Sequence, residues 1–521
     1  MDKVKTDGRT DKALKNTAYG IGFKLIDILL AFALRTIFIR TLSVSYLGIN
    51  GLFTNILTVI SLMEGGVGTA ISFSLYRPLA EKDINKVASL MKLYRNVYLL
   101  LGTVITIVGF GLTPFLKNII RLDESIDHLY LIYWLTILST SSTYFFSYRR
   151  SLVIADQRAD INTKNQIVFR IIRFFALSLT LIIAKNFILY LVADIIVLLA
   201  SNVEITMKVK KKYSSIETAE ALPLPKEEKK TILKHMSAGL IKKIGQTVVT
   251  STDSILISSF ISTALVGIYS NYTMIFANLD TAVYLLFHSL TASVGNYAVE
   301  KSEEESEQLF NKLNLANFIV VGVITVCIFC LSNPFIRLWA GENYVLNFVT
   351  VIVLTINFYI TSMCNSVDNF LSSQGRLYYH NRFRPLVEAI VNIVFSLLFV
   401  LTFDLNITGV FLGTTICFVT GRLWMDPYVL YRHFFKSSFK VYIKRFLLRT
   451  VLLTAMIGLC YFLTDCVFRA MSLSVLSWLV CALICLLISC MALYIVYHRN
   501  EDFVYLKNVM ITKILKRRTL I

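Results

Sequence analysis

The stretch TAYGIGFKLIDILLAFALRTIFIRT, residues 17 to 41, decides the fold of this chain. An α-helix rises 1.5 Å per residue, so an apolar run of this length crosses the hydrocarbon core of a bilayer, which is about 30 Å thick. The run is too long and too interrupted by charge for a signal peptide, and no small-residue cleavage site follows it. We therefore expect it to remain as the first membrane-spanning helix.

The composition of the whole chain also indicates a membrane protein. Hydrophobic residues make up 56% of the 521 residues and charged residues only 16%, against about 25% in ordinary soluble domains. The formal net charge of +19 would suggest a nucleic-acid partner in a soluble chain. Here most basic residues lie between apolar runs, so no nucleic-acid partner is expected. The nine cysteines all lie in apolar segments, which predicts neither disulfides nor a zinc site, and no cofactor is expected.

Apolar windows predict an all-α polytopic membrane protein with about fourteen transmembrane helices. The predicted spans lie near residues 17–41, 47–72, 96–116, 128–148, 165–184, 187–207, 236–260, 264–292, 313–333, 346–372, 385–403, 407–430, 446–467 and 473–497. The distribution of positive charge supports this count. With both termini in the cytoplasm, 38 of the 52 Lys and Arg residues lie in cytoplasmic segments and six in segments on the opposite side.

A repeat divides the predicted spans into two halves. Gly20, Gly48 and the pair Glu81-Lys82 recur 219 residues later as Gly239, Gly267 and Glu300-Lys301. A unit of six membrane-spanning helices begins and ends on the same side of the membrane. Its second copy therefore starts from the same side as the first, and the two lobes are expected to be parallel. We predict a six-helix lobe at 1–208, a cytoplasmic linker at 209–235, a second six-helix lobe at 236–432, and two extra helices with a basic tail at 433–521.

Ionisable residues inside the spans indicate where a site lies, because each costs about 2.5 to 3.5 kcal/mol at a helix centre and usually faces away from lipid. Lys24, Asp27 and Arg35 share one face of the first span. Lys243 in the seventh span is the repeat image of Lys24. The polar residues predicted to contribute to the site from that span are Lys242, Lys243, Gln246, Thr250 and Asp253.

The fifth and tenth spans add further polar side chains. Arg170 and Arg173 share one face near the cytoplasmic end of the fifth span, where two guanidiniums are able to bind phosphate oxygens bidentately. Asn357 and Asp368 lie on the tenth span, and with Gln246 and Thr250 they are predicted to line a polar cavity. The predicted substrate-binding residues are Lys24, Arg35, Arg170, Arg173, Lys242 and Lys243.

Asp27 and Asp253 are predicted to act in gating or as counter-ions, each neutralising a matched lysine when substrate is absent. Asp27 is alternatively a ligand of a coupling cation. A structural interpretation also stays open: basic side chains near span ends extend to the interface, and buried acids serve only as counter-ions between helices. For Arg35, Lys242 and Arg173 the structural and functional interpretations are equally supported. A structural role is favoured for five further residues without a comparable pattern: Glu64, Asp194, Asp280, Glu388 and Arg422.

An enzymatic function is not expected. The segments outside the predicted spans are short, and the sequence contains no P-loop and no H-E-x-x-H motif. A membrane glycosyltransferase or polymerase would need a large external loop or an acidic active-site motif. Transport therefore fits the sequence better than catalysis does.

Two sequence stretches carry a family resemblance: RTIFIRTLSVSYLGINGLF, from Arg35 to Phe53, and EGGVGTA, from Glu64 to Ala70. With the predicted topology, they make the chain similar to Wzx-type lipid-linked oligosaccharide flippases of the multidrug/oligosaccharidyl-lipid/polysaccharide exporter superfamily. The resemblance covers essentially the whole chain. Its motifs mark the family and not the substrate.

The resemblance implies that the chain moves an undecaprenyl-diphosphate-linked oligosaccharide from the cytoplasmic to the outer leaflet for surface-polysaccharide synthesis. Alternating access around a basic cavity is the implied mechanism. The implied location is the bacterial cytoplasmic (inner) membrane, with membrane lipids and polysaccharide polymerase machinery as further partners. The alternative transporter is a cation-coupled drug exporter or a lipid II flippase of the same superfamily.

Overall fold

The computed structural model describes residues 26–64, 67–122, 125–156, 158–374, 381 and 383–518, and none of these residues forms a strand. The side chains at 63, 69, 70, 147, 159, 233–242, 244, 246, 292 and 510–518 are not described. The first twelve helices are α1 (26–41), α2 (Val44–Ile60), α3 (Val67–Glu81), α4 (Ile84–Gly111), α5 (Leu116–Ile119), α6 (Leu129–Ala155), α7 (Ala159–Leu179), α8 (Phe187–Lys212), α9 (Ser214–Thr218), α10 (Lys226–Phe260), α11 (Thr263–His288) and α12 (Thr291–Glu300). The others are α13 (Glu303–Trp339), α14 (Phe348–Met363), α15 (Asn365–Ser373), α16 (Arg384–Leu401), α17 (Asn406–Thr420), α18 (Met425–Leu430), α19 (Phe439–Met471), α20 (Val475–Tyr497) and α21 (Glu501–Arg518).

Polar side chains fix where several helices begin. Asp83 before α4, Asn186 before α8 and Ser302 before α13 each accept hydrogen bonds from backbone N–H groups of the following turn. The Glu305 side chain accepts a hydrogen bond from the Ser302 backbone N–H in return, which completes a capping box. The first N–H groups of a helix have no partner inside it, so these contacts determine the starting residue.

Nine helical segments in the described part of the chain are long and apolar enough to cross a membrane. They coincide with the predicted third, fifth, sixth and ninth to fourteenth spans. The chain is thus an all-α polytopic membrane protein, as predicted. Helices also occupy the described parts of the other five predicted spans, where they are shorter or more polar, so the count of fourteen stays a prediction.

The chain forms two compact units. Unit 1 comprises residues 1–247 with 262–267, and unit 2 comprises 248–261 with 268–521. In unit 1, Tyr94 and Tyr98 of α4 lie in a core cluster with Tyr144 and Tyr148 of α6. In unit 2, the core includes Phe310 of α13, whose ring centre lies 5.3 Å from that of Phe370 of α15. The segment 209–235, predicted as a linker, belongs to unit 1 and contains the end of α8, α9 and the start of α10.

Candidate substrate and ion sites

Arg170 and Arg173, one turn apart on α7, are each paired with a carboxylate inside unit 1. Arg170 donates from Nε to Asp27 of α1. Arg173 donates to both carboxylate oxygens of Asp194 of α8, once from Nε and once from an Nη atom at 3.0 Å. Bidentate pairing fixes the orientation of a guanidinium as well as compensating its charge. The face of α7 predicted from the sequence is therefore held in place by acids on two neighbouring helices.

Both ion pairs leave the arginines accessible. The side chains of Arg170 and Arg173 are 36% and 35% exposed, whereas those of Asp27 and Asp194 are 14% and 16% exposed. A guanidinium has five N–H donors, and a single carboxylate does not use them all. The two arginines consequently keep donors with which they are able to bind a further anion.

The structure describes only some of the other residues that were predicted as cationic site residues. Arg35 is half-buried on α1, and Tyr190 of α8 lies within electrostatic range of both Arg35 and Arg173. Lys243 is exposed on α10 and forms no ion pair with a residue of the described ranges. Lys24 and the side chain of Lys242 lie outside the described residues. The structure therefore brings Arg170 and Arg173 together, and the lysine positions stay predictions.

Asp253 of α10 belongs to a buried polar network in unit 2. Its side chain is 5% exposed and accepts a hydrogen bond of 3.1 Å from the Thr414 hydroxyl of α17. Asn392 of α16 donates to Thr414 at 2.8 Å and to Asp253 at 3.5 Å. Thr252 completes the network by donating to the Asn392 side-chain oxygen at 3.1 Å.

This network is rich in oxygen atoms and poor in positive charge. Within the described ranges, no Lys or Arg forms an ion pair with Asp253. A buried carboxylate without an opposite charge is costly unless it is protonated or binds a cation. Carboxylate, hydroxyl and amide oxygens are the ligands that hard cations prefer, so the Asp253 network is chemically suited to a proton or a small cation. No group of three or more His, Cys, Asp or Glu side chains that could hold a metal ion occurs among the residues that the structure describes.

The residues predicted to line a polar cavity lie at separate places. Asn357 of α14 is 8% exposed, donates to the Phe411 carbonyl at 3.0 Å and accepts from Thr415 at 2.8 Å. Both ends of its amide thus contact α17. Asp368 is half-buried on α15 and Thr250 is exposed on α10, while the side chain of Gln246 lies outside the described residues. The cavity-lining role of these four residues stays a prediction.

A second cluster of buried charges in unit 2 was not predicted as a cluster from the sequence, which favoured a structural role for Glu388 alone among its members. Arg384 of α16 is 5% exposed, and one of its Nη atoms lies 2.8 Å from Asp426 and 3.3 Å from Glu388. Asp426 also accepts a hydrogen bond from Asn381. The i, i+4 spacing of Arg384 and Glu388 is a signal that sequence analysis could have used. Asp426, 42 residues after Arg384, offers no local signal.

The solved structures with a similar fold are those of a lipid flippase and of multidrug transporters. The structure is similar to that of the lipid II flippase MurJ in an inward closed conformation, with 15% sequence identity, 92% of this chain and 99% of that chain covered, and a TM-score of 0.67. It is also similar to an inward-facing multidrug resistance MATE family transporter of the MOP superfamily (14% identity, 77% of this chain and 94% of that chain, TM-score 0.56). A third similar structure is that of a mutant form of the Vibrio cholerae MATE transporter VcmN, with 14% sequence identity, 80% of this chain and 96% of that chain covered, and a TM-score of 0.56. The chain shares the fold of these proteins.

This fold agrees with the predicted class of multi-pass helical membrane protein. The sequence matches no protein-family model, and no curated protein is significantly similar to it. At 14 to 15% identity the solved structures establish the fold and leave the substrate to be argued from the residues of this chain.

Proposed function

We propose that this protein is a flippase that moves an undecaprenyl-diphosphate-linked oligosaccharide from the cytoplasmic to the outer leaflet by alternating access. The observation that carries the proposal is the pair Arg170 and Arg173 on α7, each oriented by a carboxylate and still about one-third exposed. Two guanidiniums one helical turn apart match a diphosphate, because each forms a fork that fits phosphate oxygens. The fold shared with a lipid II flippase supports a lipid-linked substrate.

In this mechanism, Asp27 and Asp194 hold the arginines until the diphosphate arrives. The diphosphate then takes the donors that the carboxylates leave unused, while the sugar crosses the bilayer in a hydrated path and the lipid tail stays in the membrane. Recognition of the diphosphate is independent of the sugar sequence. The Asp253 network supplies a place for a coupling cation or proton, whose binding would favour one of two conformations.

The test is transport of a lipid-linked oligosaccharide by the purified protein in liposomes, measured as sugar that becomes accessible to a lectin on the other side. We expect Arg170→Lys and Arg173→Lys to lower the transport rate several-fold, because each variant keeps the charge and loses the fork. Keeping the charge also avoids leaving Asp27 or Asp194 unpaired, so the variants should fold. Arg158→Lys is the matched control, since Arg158 is an exposed arginine directly before the same helix.

Full transport activity in the double variant Arg170→Lys/Arg173→Lys would contradict the assignment of the diphosphate site. An equal loss of activity in Arg158→Lys would show a non-specific effect of replacing an arginine near α7. Monodisperse elution in detergent establishes that each variant is folded before its rate is compared.

The alternative function is lipid II flipping or cation-coupled drug export. The higher coverage and TM-score of the lipid II flippase favour the former over the latter. The choice of substrate distinguishes both alternatives from the proposal. Transport is measured in three separate liposome preparations, which contain lipid II, an undecaprenyl-diphosphate-linked oligosaccharide or a cationic drug. Exclusive transport of lipid II, or of the drug, would replace the proposed substrate.

The proposal also includes a location. The excess of Lys and Arg on one side predicts that both termini lie in the cytoplasm, and a flippase of this type would work in the bacterial cytoplasmic membrane beside polysaccharide polymerase machinery. A role in catalysis is not proposed.

A further inference from the structure

A cavity of about 210 Å³ lies inside unit 1, beneath the segment that connects α8 to α10. Lys92 and Arg95 of α4 and Arg149 of α6 line it, and Glu217 of α9 is the one carboxylate among its lining residues. Three cations and one carboxylate give the lining a formal charge of +2. Such an excess attracts an anion, particularly where water is partly excluded.

Arg149 is the most buried of the three cations, with a side chain that is 14% exposed. One of its Nη atoms donates to Glu217 at 3.1 Å, and its guanidinium lies 5.0 Å from the centre of the Tyr148 ring. Its Nε is buried and forms no hydrogen bond with any residue of the described ranges. A buried donor that lacks an acceptor is destabilising. An acceptor atom that enters the cavity would satisfy this donor.

The other two cations leave the cavity accessible. Lys92 and Arg95 are both exposed, and Arg95 and Arg149 both lie within electrostatic range of the Tyr148 hydroxyl. An anion that enters between α4 and α6 would thus contact charges from two helices. Phosphate fits this arrangement, because guanidiniums bind its oxygens bidentately and an ammonium adds a compact charge.

The segment that connects α8 to α10 contacts the rest of unit 1 on both sides of α9. The Tyr213 hydroxyl donates to Asp156 at 2.6 Å, and Lys86 pairs with Glu228. Burial and the hydrogen bond to Asp156 raise the pKa of Tyr213, so its hydroxyl remains a donor at neutral pH. These contacts anchor the chain on both sides of α9, the helix that carries Glu217.

The cavity lies at the predicted membrane surface. Arg95 directly precedes the predicted third span and Arg149 directly follows the fourth, and the charge distribution assigns both to the cytoplasmic side. Basic pockets between helices on that side bind anionic lipid headgroups, and tyrosines such as Tyr148 are enriched at the same depth.

We propose that this cavity binds the phosphate group of an anionic lipid from the cytoplasmic leaflet. The phosphate oxygens accept hydrogen bonds from Arg149 donors that Glu217 does not use, and Arg95 and Lys92 complete the site from α4. The proposal concerns residues separate from Arg170 and Arg173 and does not depend on which substrate is transported.

The test is native mass spectrometry of the full-length protein in detergent, titrated with phosphatidylglycerol or with zwitterionic phosphatidylcholine. We expect bound phosphatidylglycerol on the wild-type protein and little phosphatidylcholine. Lys92→Gln and Arg95→Gln should each weaken phosphatidylglycerol binding roughly fivefold, as for the loss of one basic contact with an anionic headgroup. Lys230→Gln, at an exposed position on α10 outside the cavity, should leave binding unchanged.

Equal binding by the wild-type protein and the Lys92→Gln/Arg95→Gln double variant would overturn the proposal, as would an equal loss in Lys230→Gln. A third arm uses millimolar inorganic phosphate. If phosphate displaces phosphatidylglycerol completely and binds as tightly, the ligand is a soluble phosphate compound and the lipid assignment is wrong. Retention of phosphatidylglycerol in the presence of phosphate supports it.

Discussion

Gly48 of α2 and Gly267 of α11 are in direct backbone contact: a Cβ atom on Gly267 would lie 2.8 Å from the Gly48 nitrogen and 2.6 Å from the Val44 carbonyl oxygen. A Cβ on Gly48 would lie 2.0 Å from the carbonyl oxygen of Thr263. These two glycines are also the pair separated by 219 residues in the sequence repeat. The repeat therefore includes a position where two helices approach too closely for any side chain.

Replacing either glycine by alanine should destabilise the protein. Gly48→Ala and Gly267→Ala each force two backbones apart, and overpacking of this kind costs about 1 to 3 kcal/mol. We expect the melting temperature of the detergent-solubilised protein to decrease clearly. Thermal unfolding is measured by intrinsic fluorescence. Gly458→Ala in α19 is the control, because a Cβ at that position would have open space within 4 Å and alanine favours a helix by about 1 kcal/mol. A Gly48→Ala protein as stable as Gly458→Ala would refute the close contact.

Asp253→Asn should separate coupling from folding. The substitution removes a buried charge that no ion pair with a described residue compensates, and an amide is able to keep a hydrogen bond with Thr414. We expect unchanged or higher thermal stability, together with transport that no longer responds to a sodium or proton gradient. Transport in liposomes with and without each gradient measures this. A variant that keeps the full gradient response would exclude Asp253 as the coupling site.

Arg384→Met should unfold unit 2 or weaken it severely. The variant leaves Glu388 and Asp426 buried without their cation, a change that typically costs about 3 to 5 kcal/mol. Arg432→Met is the matched control, because Arg432 is exposed and its loss should change stability by less than about 0.5 kcal/mol. The measurement is the melting temperature of both variants. Equal melting temperatures would mean that the buried cluster of Arg384, Glu388 and Asp426 is not required for stability.

Membrane orientation can be tested with single cysteines introduced into a protein whose native cysteines have been replaced. We expect probes at Lys210 and Glu304 to resist a membrane-impermeant reagent in intact cells, and probes at Lys185 and Asn343 to react. All four positions are exposed, so lack of reaction reports the side of the membrane and not burial. Labelling at Lys210 or Glu304 in intact cells would overturn the predicted orientation and the parallel repeat.

The sequence was sufficient to predict the all-α membrane class and, among the described residues, nine long apolar helical segments. Hydropathy alone located the segments that form α4, α7, α8 and the helices from α13 to α20, because bilayer thickness requires a long apolar run. Helical spacing predicted one face of α7 for Arg170 and Arg173, and the structure pairs them with acids on α1 and α8. These features depend on residues that are close together along the chain.

Partners from different helices could not be predicted. Asp27 was assigned to neutralise Lys24, which lies outside the described residues, and nothing in the sequence indicated its ion pair with Arg170 of α7. Asp194 carried no pattern in the sequence and proves to orient Arg173. Periodicity defines which residues share a face, but the neighbouring helix decides which opposite charge lies within reach, and that choice depends on tertiary packing.

The final prediction concerns Asp27, whose loss should shift the conformational equilibrium expected from the proposed function. Asp27→Asn removes a charge from the ion pair with Arg170 and leaves that arginine more available to phosphate. If the ion pair forms in only one conformation, it stabilises that conformation relative to the other. Its loss then changes the ratio of inward-open to outward-open molecules. Electron-spin distance measurements between one probe in each unit, with and without lipid-linked oligosaccharide, report this ratio. Asp465→Asn, which affects an exposed ion pair with Arg469, is the control. Identical distance distributions in wild-type and Asp27→Asn proteins, in both conditions, would assign Asp27 the role of a structural counter-ion.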